Sequence, residues 1–136
     1  MKQKIEVGAF KKELSNYNFY KERVKGLNEL IEYCYHMLGG YKGLDPSKEP
    51  THALPNKDKE YKIRDEIEHH ERNKARTQEK INDIEETLAK IDVGLREAVI
   101  EVYANGRTIE SVARGMFLSG EGLRKRMNKA IEKALI

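Results

Sequence analysis

The sequence predicts an all-α protein in which a long N-terminal helical hairpin or coiled coil precedes a three-helix unit of the helix-turn-helix type. Apolar residues recur every three or four positions over most of the chain. Charged residues make up 36% of the 136 residues and hydrophobic residues 38%, which suits elongated helices better than one thick core. Trp is absent and only three prolines are present, so little opposes long helices.

The first predicted element is a helix within residues 1–40. Its apolar stripe consists of Phe10, Leu14, Tyr17, Tyr20, Val24, Leu27, Ile31, Cys34 and Leu38. Two consecutive three-residue steps around Tyr17 predict a local slip of the stripe. Gly39 and Gly40 supply the left-handed conformation that ends a helix. We expect Cys34 to lie in the core.

Residues 41–57 are predicted to form a loop, and residues 58–91 a long charged helix. The loop contains every proline of the chain and has no apolar periodicity. The helix has a heptad stripe with a polar middle, made of Ile63, Ile67, His70, Lys74, Thr77, Ile81, Ile84, Leu88, Ile91 and, just beyond the helix, Leu95. Two long helices joined by a loop predict an antiparallel hairpin, and the same pattern also permits pairing between chains.

One constellation on the charged helix has metal-ligand character. Glu66 and His69 have the Glu-x-x-His spacing of carboxylate-bridged metal helices, with His70 and Glu71 beside them. Such sites need a second copy of this spacing on another helix, and the sequence has none. We therefore predict no metal and no cofactor.

Residues 92–136 predict three short helices. Asn105-Gly106 ends the first, Thr108 is suited to cap the second, and Ser119 is suited to cap the third. The predicted inner face of the third helix is Leu123, Met127, Ala130, Ile131 and Ala134. Short turns and a basic last helix are typical of a helix-turn-helix.

Excess positive charge is confined to the end of the chain. Residues 104–136 hold 7 Lys/Arg against 3 Asp/Glu, whereas the first 103 residues hold 19 against 20. We therefore expect double-stranded DNA as the partner of the last helices.

Residues 96–135, REAVIEVYANGRTIESVARGMFLSGEGLRKRMNKAIEKAL, resemble region 4 of sigma-70-type factors. The matching features are Arg96-Glu97, Tyr103, Gly106, Thr108, Val112-Ala113, Leu118-Ser119, Leu123 and Ala130. The layout of the whole chain is similar to ArpU and RinA-like regulators of phages and prophages, with residues 40–43 where their Gly-Lys-Gly connector begins. The resemblance implies a DNA-binding transcriptional regulator that activates late phage genes in the cytoplasm of a bacterial host.

Two features depart from the region 4 pattern. Phe117 occupies the turn position where glycine is common, so it either covers the core or changes the turn. Gly120 and Gly122 lie in the first turn of the recognition helix, where they leave fewer side chains to read bases and let backbone N–H groups approach a phosphate.

The predicted DNA contacts follow from placing residues 119–134 in the major groove. The expected base contacts are Glu121, Arg124 and Lys125, because a guanidinium binds a guanine edge bidentately and a carboxylate accepts from cytosine. The expected phosphate contacts are Arg107, Thr108, Ser119, Arg126 and Lys129.

The sequence contains no P-loop, dinucleotide-binding or hydrolase motif, and we predict no enzyme. We expect the N-terminal helices to form a homodimer or to contact another protein such as RNA polymerase. Two other functions stay open: a DNA-packaging recognition subunit of the small-terminase type, and a coiled-coil adaptor without DNA binding. No stretch has the apolar length of a signal peptide or membrane span, so we expect no membrane partner.

Overall fold

The computed structural model describes residues 2–39 and 57–136, which form six α-helices and no strand. The all-α prediction is confirmed. The helices are Lys2–Ser15 (α1), Tyr17–Met37 (α2), Lys57–Ala89 (α3), Val93–Val99 (α4), Ile109–Gly115 (α5) and Gly120–Ala134 (α6). A π-helical turn, Ile100–Ala104, continues α4. The predicted loop 41–57 and the Gly-Lys-Gly connector lie outside the described residues, apart from Lys57, which begins α3.

The chain divides into two units whose boundaries fall inside α2 and α3. One unit comprises residues 1–21 and 80–136, and the other comprises residues 22–79. The first, here called the head unit, therefore joins the predicted 92–136 region to α1 and the end of α3. The head unit holds 15 Lys/Arg against 11 Asp/Glu, so it carries the positive charge of the chain.

The helix predicted within residues 1–40 is divided at Asn16, beside the predicted slip of its stripe. Ser15 Oγ donates to the carbonyl of Lys12 at 2.6 Å, and Asn16 Nδ2 donates to the same carbonyl at 3.3 Å. Side chains that bond nearby carbonyls compete with the backbone for helix hydrogen bonds. The chain resumes its helix at Tyr17, so α1 and α2 are separate elements.

Two tyrosines at this break help to pack the head unit. The Tyr17 hydroxyl donates to Glu85 Oε2 of α3 at 3.0 Å, and the Tyr20 hydroxyl donates to Glu13 Oε2 of α1 at 2.7 Å. Burial, followed by the bond to Glu85, raises the pKa of Tyr17. The bond to Glu13, followed by burial, raises the pKa of Tyr20. Both phenols therefore stay protonated as donors at neutral pH.

The core of the head unit lies against the last helix. Its most deeply buried side chains are Leu14, Ile91, Val99, Leu123, Met127 and Ile131. The helix α6 contacts α1, α4 and α5. On the predicted inner face of α6, Leu123, Met127, Ile131 and Ala134 are buried as predicted, and Ala130 is half-buried. The position of α6 is therefore fixed through one face, while its other face meets solvent.

Arg96 stabilises the turn between α3 and α4. Its guanidinium donates to the carbonyls of Leu88 at 2.8 Å, of Ala89 at 3.1 Å and of Ile91 at 3.1 Å. The last carbonyls of a helix lack intrahelical partners, and they lie at the negative end of the helix dipole. Arg96, one of the residues of the region 4 resemblance, thus connects α4 to the end of α3.

The second unit contains the remaining parts of α2 and α3. Its buried side chains are Leu27, Ile31, Cys34, Ile67 and Thr77. The predicted core position of Cys34 is confirmed, since its side chain is only 4% exposed. The hydroxyl of Thr77 donates to the carbonyl of Asn73 at 2.8 Å, which satisfies a polar group in the heptad stripe.

Candidate nucleic-acid interface

The two helices of the candidate site, α5 and α6, each begin with a side-chain cap. Thr108 Oγ1 accepts from the amide of Ser111 at 3.2 Å, and Ser119 Oγ accepts from the amide of Gly122 at 3.0 Å. Both caps agree with the sequence prediction. Each hydroxyl uses its oxygen for the cap, so its hydrogen can still be donated to a phosphate.

Gly122 makes room for the cap of α6. A Cβ atom at this position would lie 2.9 Å from Ser119 Oγ, closer than non-bonded atoms approach. A Cβ at Gly120 would make only ordinary contacts, 3.6 Å from the Glu110 side chain. The cap of α6 therefore explains why residue 122 is a glycine, without any approach of the backbone to a phosphate.

The turn between α5 and α6 is a Schellman motif with Phe117 in its left-handed position. The amide of Leu118 bonds the carbonyl of Ala113 at 2.9 Å, and the amide of Phe117 bonds the carbonyl of Arg114 at 3.2 Å. Phe117 has φ +59° and is 96% exposed. The interpretation that Phe117 covers the core is wrong, because this φ directs the ring into solvent.

We expect Phe117→Gly to be more stable than Phe117→Ala by about 1 kcal/mol. Alanine keeps the Cβ atom that disfavours the left-handed conformation, whereas glycine does not. Since the Phe117 ring is exposed, both variants lose little packing. Urea unfolding of the two variants measures the difference. Equal free energies of unfolding would contradict the strain at this position.

The three predicted base-contact residues lie together on the solvent face of α6. Glu121, Arg124 and Lys125 are all exposed. Arg124 Nη2 lies 2.7 Å from Glu121 Oε1, and both side chains are more than half exposed. An exposed ion pair of this kind contributes at most about 1 kcal/mol. The ion pair is therefore weak, and a competing anion would displace the carboxylate from the guanidinium at small cost.

The predicted phosphate contacts lie in two places. Arg107, at the start of α5, lies 3.4 Å from Glu101 and donates to Ser111 Oγ at 3.1 Å. Arg126 and Lys129 lie on α6 beside an open groove of about 550 Å³. The groove is lined by Lys90, Asp92, Leu95, Arg126, Lys129, Ala130 and Lys133. Four cations face a single carboxylate there, so the groove suits an anion.

Three residues near this surface were not predicted as site residues. Lys133 follows Lys129 by one helical turn, so spacing alone could have indicated it. Lys90 comes from the end of α3, and only the tertiary fold brings it to the groove. Lys11 of α1 donates to Asn128 Oδ1 of α6 and lies 4.7 Å above the Tyr103 ring. Asn128 is therefore held by α1.

No protein-family model, curated protein or solved structure matches this chain. Over residues 2–39 and 57–136, no helix is both long enough and apolar enough to cross a membrane. A function is therefore inferred from the geometry of α5, α6 and the groove, together with the region 4 resemblance.

Proposed function

We propose that this chain is a sequence-specific DNA-binding transcriptional regulator of the phage and prophage type. The observation that carries the proposal is the two-sided character of α6. One face packs Leu123, Met127 and Ile131 into the core, while the rest of the helix surface presents Arg124 and Lys125 to solvent. A helix held on one side and basic on the other is what a helix-turn-helix inserts into the major groove.

In this proposal the basic side chains have two roles. Arg124 and Lys125 read base edges with Glu121 beside them, and they supply the sequence preference. Arg107, Arg126 and Lys129 neutralise phosphates on either side of the inserted helix, aided by the hydroxyls of Thr108 and Ser119. Lys90 and Lys133 extend the phosphate-binding surface along the groove.

We further propose that the protein acts as a homodimer formed through α2. Within residues 22–79 this helix has a second apolar stripe, separate from the core, formed by Leu30, Tyr33 and Met37, which are 44–61% exposed. At 3.6 residues per turn, these three positions fall within roughly 60° of one another. The same stripe on a second copy would cover them, giving the two-fold symmetry that a palindromic operator requires.

The resemblance to phage regulators further implies activation of late genes and contact with RNA polymerase in the cytoplasm of a bacterial host. We include both in the proposal. A reporter gene placed behind the bound region tests them. Activation raises reporter output when the protein is expressed, and repression lowers it. The mass of the protein in solution separates a dimer from the many-copy ring of a small-terminase-type subunit.

Selection of DNA from fragmented source-replicon DNA tests the binding proposal. The full chain should enrich one upstream region, with an affinity that falls at least about 10³-fold between 50 and 200 mM salt. The three basic phosphate contacts predicted from the sequence, Arg107, Arg126 and Lys129, give a dimer six, which corresponds to a slope of about −5 in log affinity against log salt. Contacts from Lys90 and Lys133 would make the slope steeper. Equal recovery of all fragments, or binding that salt does not weaken, would contradict the proposal.

A further inference from the structure

A cysteine, a glutamate and a histidine meet in the unit of residues 22–79. Cys34 lies on α2, and Glu66 and His70 lie one turn apart on α3. One ligand atom of each, sulfur, carboxylate oxygen and ring nitrogen, lies within 4.8 Å of the other two. Cys34 is buried, His70 is half-buried and Glu66 is exposed. The cluster is therefore closed on its inner side and open to solvent at the carboxylate.

Two of the three ligand groups in the cluster have weak or missing hydrogen bonds. Cys34 Sγ donates to Glu66 Oε2 at 3.8 Å, which is a long and weak bond. His70 Nδ1 is buried and has no hydrogen-bond partner within the described part of the chain. Buried polar atoms nearly always have a partner, and an exception in a folded protein calls for an explanation such as an ion.

We propose that Cys34, Glu66 and His70 bind a zinc ion, with water as the fourth ligand. Thiolate sulfur, imidazole nitrogen and carboxylate oxygen are the ligand types that zinc takes, at about 2.3, 2.0–2.1 and 2.0–2.2 Å. Tetrahedral ligands at those lengths stand about 3.5 Å apart. Cys34 Sγ and Glu66 Oε2, at 3.8 Å, are already close to this separation, and a pair at the 4.8 Å limit would have to approach by roughly 1 Å. The Glu66 side chain is exposed, so its carboxylate can follow the sulfur and the ring nitrogen by rotation as they close on the ion.

The donor set favours zinc over the harder cations. Magnesium and calcium select oxygen ligands, whereas a thiolate and an imidazole select zinc and related transition metals. Burial, followed by the nearby Glu66 carboxylate, raises the pKa of the Cys34 thiol, which is therefore protonated without metal at neutral pH. On binding, the thiol proton passes to solvent and the sulfur bonds the ion instead of Glu66.

Zinc at this position would join α2 to α3. The three ligands come from both helices, so the bound ion adds a cross-link that the unfolded chain lacks. The metal proposal is independent of DNA binding, because its ligands lie in residues 22–79 whereas the candidate DNA contacts lie in the head unit.

Titration of the metal-free full chain with Zn²⁺ tests the proposal, with affinity read from competition against a chromophoric chelator. We expect one zinc per chain and a higher melting temperature in its presence. Substitution by Co²⁺ should give a thiolate-to-cobalt charge-transfer band. His70→Gln and Cys34→Ser should each lower the zinc affinity by at least about 100-fold, and Cys34→Ser should remove the band.

His69→Gln is the matched control, because His69 is the same residue type one position away. It is exposed and pairs with Asn73 at 3.2 Å instead of with the cluster. We expect this variant to bind zinc within about threefold of the wild type. Circular dichroism shows whether each variant keeps its helices. Absence of the thiolate band in the wild type, or equal losses in His69→Gln and His70→Gln, would overturn the proposal.

Discussion

Replacing Arg124 and Lys125 together by alanine is expected to lower the affinity for the selected DNA at least about 100-fold. Each base contact of this kind is worth about 1–3 kcal/mol, and a factor of ten corresponds to 1.4 kcal/mol. Both side chains are exposed on α6, so we expect their removal to leave the fold intact. The discrimination between the selected fragment and unrelated DNA should fall as well. Fluorescence anisotropy at one fixed salt concentration measures both quantities.

A charge-matched control separates base reading from general attraction. Arg72→Ala with Arg76→Ala removes the same two charges from exposed positions of α3, outside the head unit. We expect this pair to change the affinity by less than about threefold. Equal losses from the two pairs would contradict a specific role for Arg124 and Lys125.

Arg96→Ala is expected to lower the free energy of unfolding by about 2–4 kcal/mol. The substitution leaves the carbonyls of Leu88, Ala89 and Ile91 without their shared donor, and hydrogen bonds to a charged group contribute about 1.5–3 kcal/mol each. The full sum is not expected, because water reaches part of the site. Urea unfolding followed by circular dichroism measures the change.

Arg96→Lys is the control for the geometry of this interaction. Lysine keeps the positive charge at the helix end but lacks the planar set of donors that reaches three carbonyls. We expect it to recover less than half of the lost free energy. If lysine restores the full stability, or if alanine costs less than about 0.5 kcal/mol, the proposed role of Arg96 is wrong.

Local features of the fold could be predicted from the sequence. The caps at Thr108 and Ser119 and the buried face of α6 depend on neighbours within a few positions, so the residue pattern is sufficient. The break at Asn16 was only indicated as a slip, because it depends on side chains that bond the Lys12 carbonyl. The π-helical turn Ile100–Ala104 also escaped prediction, since apolar spacing does not distinguish it from α-helix.

Features that join distant segments could not be predicted. Lys90 reaches the basic groove from the end of α3, and Cys34 meets Glu66 and His70 only because α2 and α3 touch. The sequence pattern placed Glu66 and His70 one turn apart, but it gave no sign of the third ligand. Of the two interpretations of Phe117, the one in which its ring covers the core was wrong for a different reason. Its exposure depends on a left-handed backbone conformation that the turn imposes on a residue other than glycine.

Amide chemical-shift mapping of the full chain with the selected DNA fragment tests the central claim most directly. The proposed mode of binding predicts that the largest changes occur at residues 107–108 and 119–129, at the two caps and along the exposed face of α6. The buried face should report only small secondary changes. Changes confined to residues 22–79, with residues 119–129 unaffected, would contradict the placement of α6 in the DNA groove.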